Sequence, residues 1–174
     1  MLYVLSYPAL AQDDAERIEA FRRIHEPERA GLVRAHITLV FGVRPIKVED
    51  LSSRVSALAA ETTPFEITFD RAEQVESPGN LHNVFLLASA GQSTLGSMHR
   101  KLYAGSLSSE LLPGMPFQAH MTVATSTSID PIHSAMKDLS RIGLPVRGLV
   151  DALEIVVLKD GSIKNVSTSP LIGG

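Results

Sequence analysis

The sequence predicts a domain that mixes helices and strands and consists of two related lobes. The chain of 174 residues is 44% hydrophobic and 20% charged, which is the ordinary balance of one compact globular domain. Segments with the hydrophobic periodicity of strands alternate with segments that have the periodicity of helices. The order of these segments repeats once, and no flexible linker separates the two copies. We therefore expect a single domain, residues 1–174, made of two lobes of similar structure.

The first copy predicts the order strand, helix, strand, helix, strand. Ile18, Phe21 and Ile24 recur at helical spacing, and two aspartates lie in the first turn of that helix, where the helix dipole favours anions. A second helix has a comparable apolar stripe, whereas the segment that starts at Pro64 alternates as a half-buried strand does. The predicted ranges are 2–8, 11–28, 34–42, 48–61 and 64–70.

The second copy repeats this order and adds a last strand. Its second helix has a proline near its first position and a glycine just after its end, as helices often do. The predicted ranges are a strand at 83–89, a helix at 93–107, a loop at 111–116, a strand at 118–126, a helix at 128–143 and strands at 145–158 and 163–168. Pro64 is followed by Asp70 and Glu73. Pro145 is followed by Asp151 and Glu154 at the same distances along the chain. The matched spacings indicate an internal duplication rather than a solenoid array.

The middle strand of each copy contains the pattern His-apolar-Thr-apolar, as "HITL" from His36 and "HMTV" from His120. Successive side chains of a strand point to opposite faces. In the first run, His36, Thr38 and Val40 are therefore expected on one face, and Phe41 on the opposite, buried face. The second run repeats this division. Each lobe is thus predicted to bury an apolar face and to present one His and one Thr on the other.

Pseudo-twofold symmetry between the lobes would bring His36, Thr38, His120 and Thr122 into one cleft. Histidine titrates near neutrality, so one imidazole can remove a proton from water while the other protonates a leaving oxygen. Threonine hydroxyls can donate hydrogen bonds to the non-bridging oxygens of a phosphate. These residue types favour acid–base catalysis of an in-line displacement at phosphorus.

Two other interpretations of the histidines compete with this one. A single His-Thr strand is more often structural, with Thr present for its β-propensity, but two copies at matching places favour a site. Two histidines supply only part of a metal site, and no His-x-x-x-His pattern or cysteine accompanies them. We therefore expect neither a metal nor another cofactor. The remaining residues of interest are expected to be structural or solvated: His25, His82, His99, His133, Arg22 and Arg23.

The two His-Thr runs resemble the paired signatures of the 2H phosphoesterase superfamily, which includes 2′-5′ RNA ligase-like proteins and 2′,3′-cyclic phosphodiesterases. The resemblance implies an α+β fold that is bilobal and pseudo-twofold, with two antiparallel sheets facing a central cleft and helices outside. It also implies a metal-independent hydrolase that opens 2′,3′-cyclic phosphates or acts on 2′-5′ linked RNA. His36 and His120 would be the acid–base pair, and Thr38 and Thr122 would hold the phosphate.

One departure from the family pattern bears on the substrate. Many members have Arg or Lys where this chain has Thr125. An arginine binds phosphate bidentately, so its absence favours a small nucleotide-derived cyclic phosphate over a polynucleotide. Arg34, on the predicted face of His36, is the candidate substrate-binding residue that would compensate. A non-catalytic protein that binds RNA ends or nucleotides is the remaining alternative.

Composition narrows the partners and the location. The formal net charge is −3 and there are no cysteines, so a strong overall field for polyanions, disulfides and a cysteine nucleophile are excluded. The amino-terminal segment turns acidic early and does not resemble a signal peptide, and no apolar run is long enough to span a bilayer. We expect a cytoplasmic monomer that binds RNA ends or nucleotides with a cyclic phosphate and no membrane.

Overall fold

The computed structural model describes residues 1–44, 46–111 and 116–173, and its elements follow the predicted order. The strands are β1 (Leu2–Ser6), β2 (Ala9–Leu10), β3 (Ile37–Val43), β4 (Phe65–Ser77), β5 (Leu81–Ala88), β6 (His120–Ser126), β7 (Val146–Val150), β8 (Ala152–Lys159) and β9 (Ser162–Pro170). The α-helices are α1 (Gln12–His25), α2 (Pro27–Leu32), α3 (Val48–Ala60), α4 (Gln92–Tyr103) and α5 (Ile129–Asp138). Most of the predicted loop at 111–116 lies outside the described residues.

The strands form two antiparallel sheets, as expected. The first has the order β3-β1-β8-β9 and the second has the order β2-β7-β4-β5-β6. Each sheet therefore contains strands from both halves of the sequence. β8 comes from the second half but pairs with β1, and β4 comes from the first half but pairs with β5. The long strand predicted at 145–158 is divided into β7 and β8, because the chain changes sheets at Asp151.

The helices cover the outer faces of the sheets and are exchanged in the same way. α1 packs against β6, the His-Thr strand of the other half, and α4 packs against β3. α3 packs on β8 and β9, and α5 packs on β5 and β6. Together these contacts enclose one continuous hydrophobic core. The predicted α+β, pseudo-twofold architecture is confirmed.

Matching irregularities in β3 and β6 change which side chains face inward. Val4 pairs with Val40 but Leu5 pairs with Thr38, so β3 has one extra residue, Leu39, between these pairs. β6 has the same one-residue bulge, with pairs Val84–Ala124 and Phe85–Thr122. A bulge reverses the alternation of side chains beyond it.

The bulge overturns the prediction made for the end of the first His-Thr run. Val40 was expected to share the face of His36, but it is completely buried. Phe41 was expected in the core, but it is 48% exposed and lies on the face of His36 and Thr38. The strict period of two fails here because Leu39 and Val40 both turn into the core. Thr125 of β6 occupies the place that corresponds to Phe41.

Among the described residues, none of the helices combines the length and the hydrophobicity that crossing a lipid bilayer requires.

Candidate active site

A cavity of about 330 Å³ lies between the two sheets and contains both His-Thr pairs. The first sheet contributes His36, Thr38 and Phe41, from β3 and the residue before it. The second sheet contributes His120 and Thr122, from the start of β6. The structure therefore brings together the four residues predicted as catalytic.

The two histidines are held in the same way. Nδ1 of His36 lies 2.7 Å from the backbone carbonyl of Arg34, and Nδ1 of His120 lies 2.7 Å from the carbonyl of Gln118. A carbonyl can only accept a hydrogen bond, so each Nδ1 carries the proton and donates it. The neutral form of each ring then has an unprotonated Nε2. Both rings are thus fixed in the tautomer that leaves Nε2 for a substrate.

Burial sets the charge of the two imidazoles. It lowers the pKa of His36 to about 4, aided by repulsion from Arg22, Arg29 and His120 and opposed by the hydrogen bond to the Arg34 carbonyl. Burial also lowers the pKa of His120 below its ordinary value. Aromatic rings limit the access of water, since Phe85 stacks on His120 with centroids 3.7 Å apart and the centroid of Tyr7 lies 5.9 Å from that of His36. Without a bound anion, burial therefore favours the uncharged form of both imidazoles at neutral pH.

Arg34, the predicted substrate-binding residue, does not line the cavity. Its side chain is exposed, and its guanidinium carbon lies 4.5 Å from the centre of the Tyr7 ring as a cation–π contact. Its backbone carbonyl holds His36. The role predicted for its side chain stays a prediction.

A polar network that the sequence pattern did not predict runs from α1 to β6. Arg22 was expected on a solvated face, but this residue is only 1% exposed, whereas Arg23 is exposed as predicted. Arg22 forms ion pairs with Glu19 and Glu26 and donates to the carbonyl of Val33 at 2.9 Å. The spacing of these two acids from Arg22, three residues before it and four after it, is a signal for an ion pair. It does not show that the pair is buried.

Thr125 joins this network to the second sheet. Its hydroxyl donates to Oδ1 of Asn83 at 2.8 Å, with Oε2 of Glu26 at 3.3 Å. The same hydroxyl accepts a hydrogen bond from Nη1 of Arg29 at 3.3 Å. Arg22, Glu26, Arg29 and Asn83 all line the cavity. One end of the cavity therefore consists of charged and amide groups. They come from α1, α2 and β5, and from Glu26, which lies between the two helices.

The other histidines lie away from this cavity. His99 is buried and bonds to the Leu39 carbonyl at the β3 bulge, the side chain of His25 is buried beside Asp138, His82 is half-buried and His133 is exposed. Within the described ranges, no group of three or more His, Asp or Glu side chains is placed to hold a metal ion.

Two sheets that enclose a paired His-Thr cavity are the arrangement expected for the 2H phosphoesterase superfamily, and comparison with known families agrees. The chain belongs to the 2′-5′ RNA ligase superfamily, whose family model matches residues 10–162. Members of this superfamily are phosphoesterases, so the family identified from the two His-Thr runs is confirmed.

Solved structures share the fold over nearly their whole length. The protein TT0787 of Thermus thermophilus is 22% identical, with a TM-score of 0.65 over 99% of this chain and 98% of that one. Escherichia coli LigT in its apo form is 19% identical, with a TM-score of 0.60 over 98% and 96% of the two chains. Kluyveromyces marxianus Usb1 is 10% identical, with a TM-score of 0.54 over 98% and 96%. No curated protein sequence matches the chain.

Proposed function

We propose that the protein is a metal-independent phosphodiesterase that opens 2′,3′-cyclic phosphates or acts on 2′-5′ linked RNA. The observation that carries the proposal is the pair of imidazoles, His36 and His120, that line one cavity with matching backbone hydrogen bonds. Each ring has Nδ1 occupied and Nε2 available. Such a pair can take a proton on one side of a phosphate and give a proton on the other.

The proposed reaction on a 2′,3′-cyclic phosphate is one in-line displacement. The neutral imidazole removes a proton from water as the water oxygen forms a bond to phosphorus. The bond from phosphorus to the 3′ oxygen breaks, and the second imidazole, whose protonated form the bound anionic phosphate stabilises, gives its proton to that oxygen. The products are a free 3′ hydroxyl and a 2′-phosphate. The enzyme regains its resting state when the proton gained by the base returns to the acid through solvent.

Thr38 and Thr122 are proposed to donate hydrogen bonds to the non-bridging oxygens. Both are half-buried, and both line the cavity beside a histidine. A fixed hydroxyl donor has its greatest effect where negative charge is concentrated in the transition state. Removal of one such donor from an enzyme costs about 10²- to 10³-fold in kcat.

A small nucleotide is the substrate that the cavity favours within this reaction class. The volume of the cavity, about 330 Å³, lies at the lower end of the range for small-molecule sites. Phe41 offers an exposed ring on the face of the catalytic pair, and aromatic rings stack on bases without regard to sequence. LigT has been crystallised with the mononucleotide 3′-AMP and with phosphate. RNA ends, the monomeric state and the cytoplasmic location stay predictions.

The test is hydrolysis of 2′,3′-cyclic AMP by the wild type and by the single variants His36→Ala and His120→Ala. Removal of either proton-transfer group should lower kcat by about 10²- to 10⁴-fold. The matched control is His133→Ala, which removes an exposed histidine of α5 outside the cavity and should keep the wild-type rate. Activity should persist in the presence of a chelator.

Each alternative has its own outcome. A catalytic variant that keeps the full rate would show that the acid–base assignment is wrong. A wild type that binds nucleotides or RNA ends but turns over no cyclic or 2′-5′ substrate would favour the binding protein. Loss of activity with a chelator would favour a metal-dependent enzyme.

A further inference from the structure

The charged end of the cavity contains two arginines with different surroundings. Arg22 is buried, and two carboxylates and a carbonyl already use its guanidinium. Arg29, on α2, also lines the cavity but is exposed. Within the part of the chain that the structure describes, no carboxylate lies within ion-pair distance of Arg29. Direct ion pairs thus compensate the charge of Arg22, whereas Arg29 interacts with Glu26 only beyond ion-pair distance.

Residues of the second sheet fix the position of Arg29. Its Nη1 donates to the hydroxyl of Thr125. That hydroxyl donates to Oδ1 of Asn83 at 2.8 Å. The bulge of β6 turns Thr125 to the face of His120. Asn83 in turn donates to Ser77 at 2.9 Å, so its amide is oriented. A guanidinium has five N–H donors. One of them meets Thr125, which leaves the others for a ligand in the cavity.

We propose that Arg29 binds the phosphate group of the substrate and that Thr125 positions Arg29. This inference rests on the proposed function. An arginine fork matches the non-bridging oxygens of a phosphate and keeps its charge at any working pH. The phosphate oxygens would then receive hydrogen bonds from Thr38, Thr122 and Arg29. Because the product phosphate carries more negative charge than the cyclic diester, Arg29 should also strengthen the binding of product and of inorganic phosphate.

Binding of inorganic phosphate tests Arg29 without any need for turnover. Calorimetry should give a dissociation constant at least about 10-fold higher for Arg29→Ala than for the wild type, since a charge-assisted hydrogen bond is lost. Arg29→Lys should recover part of the affinity, because it restores the charge without the fork. Arg23→Ala is the matched control, an exposed arginine of α1 outside the cavity lining, and it should bind phosphate as the wild type does.

Kinetics with 2′,3′-cyclic AMP separate the roles of Arg29 and Thr125. Arg29→Ala should raise KM at least about 10-fold, the loss expected for a charge-assisted hydrogen bond. Thr125→Val should raise KM less, and Arg29→Ala should have less additional effect in the Thr125→Val background than in the wild type, because both changes disturb one contact. Unchanged phosphate affinity and KM in Arg29→Ala would overturn the inference. Phosphate binding that depends on Arg29, in a wild type that hydrolyses nothing, would keep the inference and reject the proposed function.

Discussion

At the residue scale, the two histidines differ in their electrostatic surroundings. Burial lowers the pKa of both, but repulsion from Arg22 and Arg29 acts on His36 in addition. The first proton that enters the pair should therefore go to His120. This makes His120 the acid and His36 the base in the proposed hydrolysis, a division of roles that the sequence could not give.

The pKa difference can be measured by NMR titration of the imidazole resonances. His36 should titrate near pH 4 and His120 at a higher pH, but below the ordinary histidine value. Inorganic phosphate should raise the pKa of His120, because a bound anion stabilises the imidazolium. The opposite order, with His36 protonated first, would contradict this assignment. The His120→Ala variant identifies which resonance belongs to which ring.

The sequence was sufficient to predict the residues whose pattern repeats. His36, His120 and their threonines could be found because each strand has a copy against which it can be compared. Arg29 belongs to no repeated pattern, and only the fold brings α2 against β6. Arg34 is predicted instead because the alternation of the strand places it on the face of His36, although its side chain lies on Tyr7.

At the element scale, the end of β3 depends on Gly42. This residue has a φ of +53°, and a Cβ atom there would lie 3.0 Å from the hydroxyl oxygen of Tyr3. Both the left-handed backbone and the close approach favour glycine. The residue is adjacent to Phe41 and lies where the register of β3 shifts again, between the pairs Leu2–Val43 and Val4–Val40. Element types could be predicted from periodicity, but a one-residue bulge leaves no periodic signal.

Gly42→Ala should lower the free energy of unfolding by about 1–2 kcal/mol, the cost of a left-handed conformation for a residue with a Cβ. Gly31→Ala is the matched control, since Gly31 lies in α2 with no atom within 4 Å of a new Cβ. There the same substitution should leave the free energy unchanged or raise it by up to about 1 kcal/mol. Urea denaturation measures both, and equal effects of the two substitutions would contradict the role given to Gly42.

At the scale of the whole molecule, a buried ion pair connects α1 to β6 of the second sheet. The side chains of Arg22 and Glu26 are 2% and 1% exposed. Burial raises the pKa of Glu26, and the charge of Arg22 opposes this rise. Through Thr125 the pair reaches β6, so the site and the packing of α1 depend on the same contacts. The helical periodicity of α1 did not indicate that Arg22 is buried, because an arginine is ordinarily solvated.

Arg22→Met should lower the free energy of unfolding by about 3–5 kcal/mol, because it leaves Glu26 buried without its partner. Arg23→Met, on the exposed side of the same helix, should change it by no more than about 0.5 kcal/mol. Adding Glu26→Gln to Arg22→Met should recover part of the loss, since the uncompensated charge is removed. Denaturant unfolding of the wild type and the three variants measures these differences. A cost for Arg22→Met as small as that for Arg23→Met would mean that the buried pair does not stabilise the fold.

The exchange of strands between the sheets has a consequence for how the chain could be divided. We propose that the two related halves form one domain, because β4 completes the sheet of the second half and β8 completes the sheet of the first. A peptide that ended after β4 would carry a long strand whose two neighbours, β5 and β7, are both missing. Each half thus gives a strand to the sheet of the other, as the subunits of a domain-swapped dimer do, but here both halves belong to one chain. We therefore expect that neither copy would fold as a separate unit.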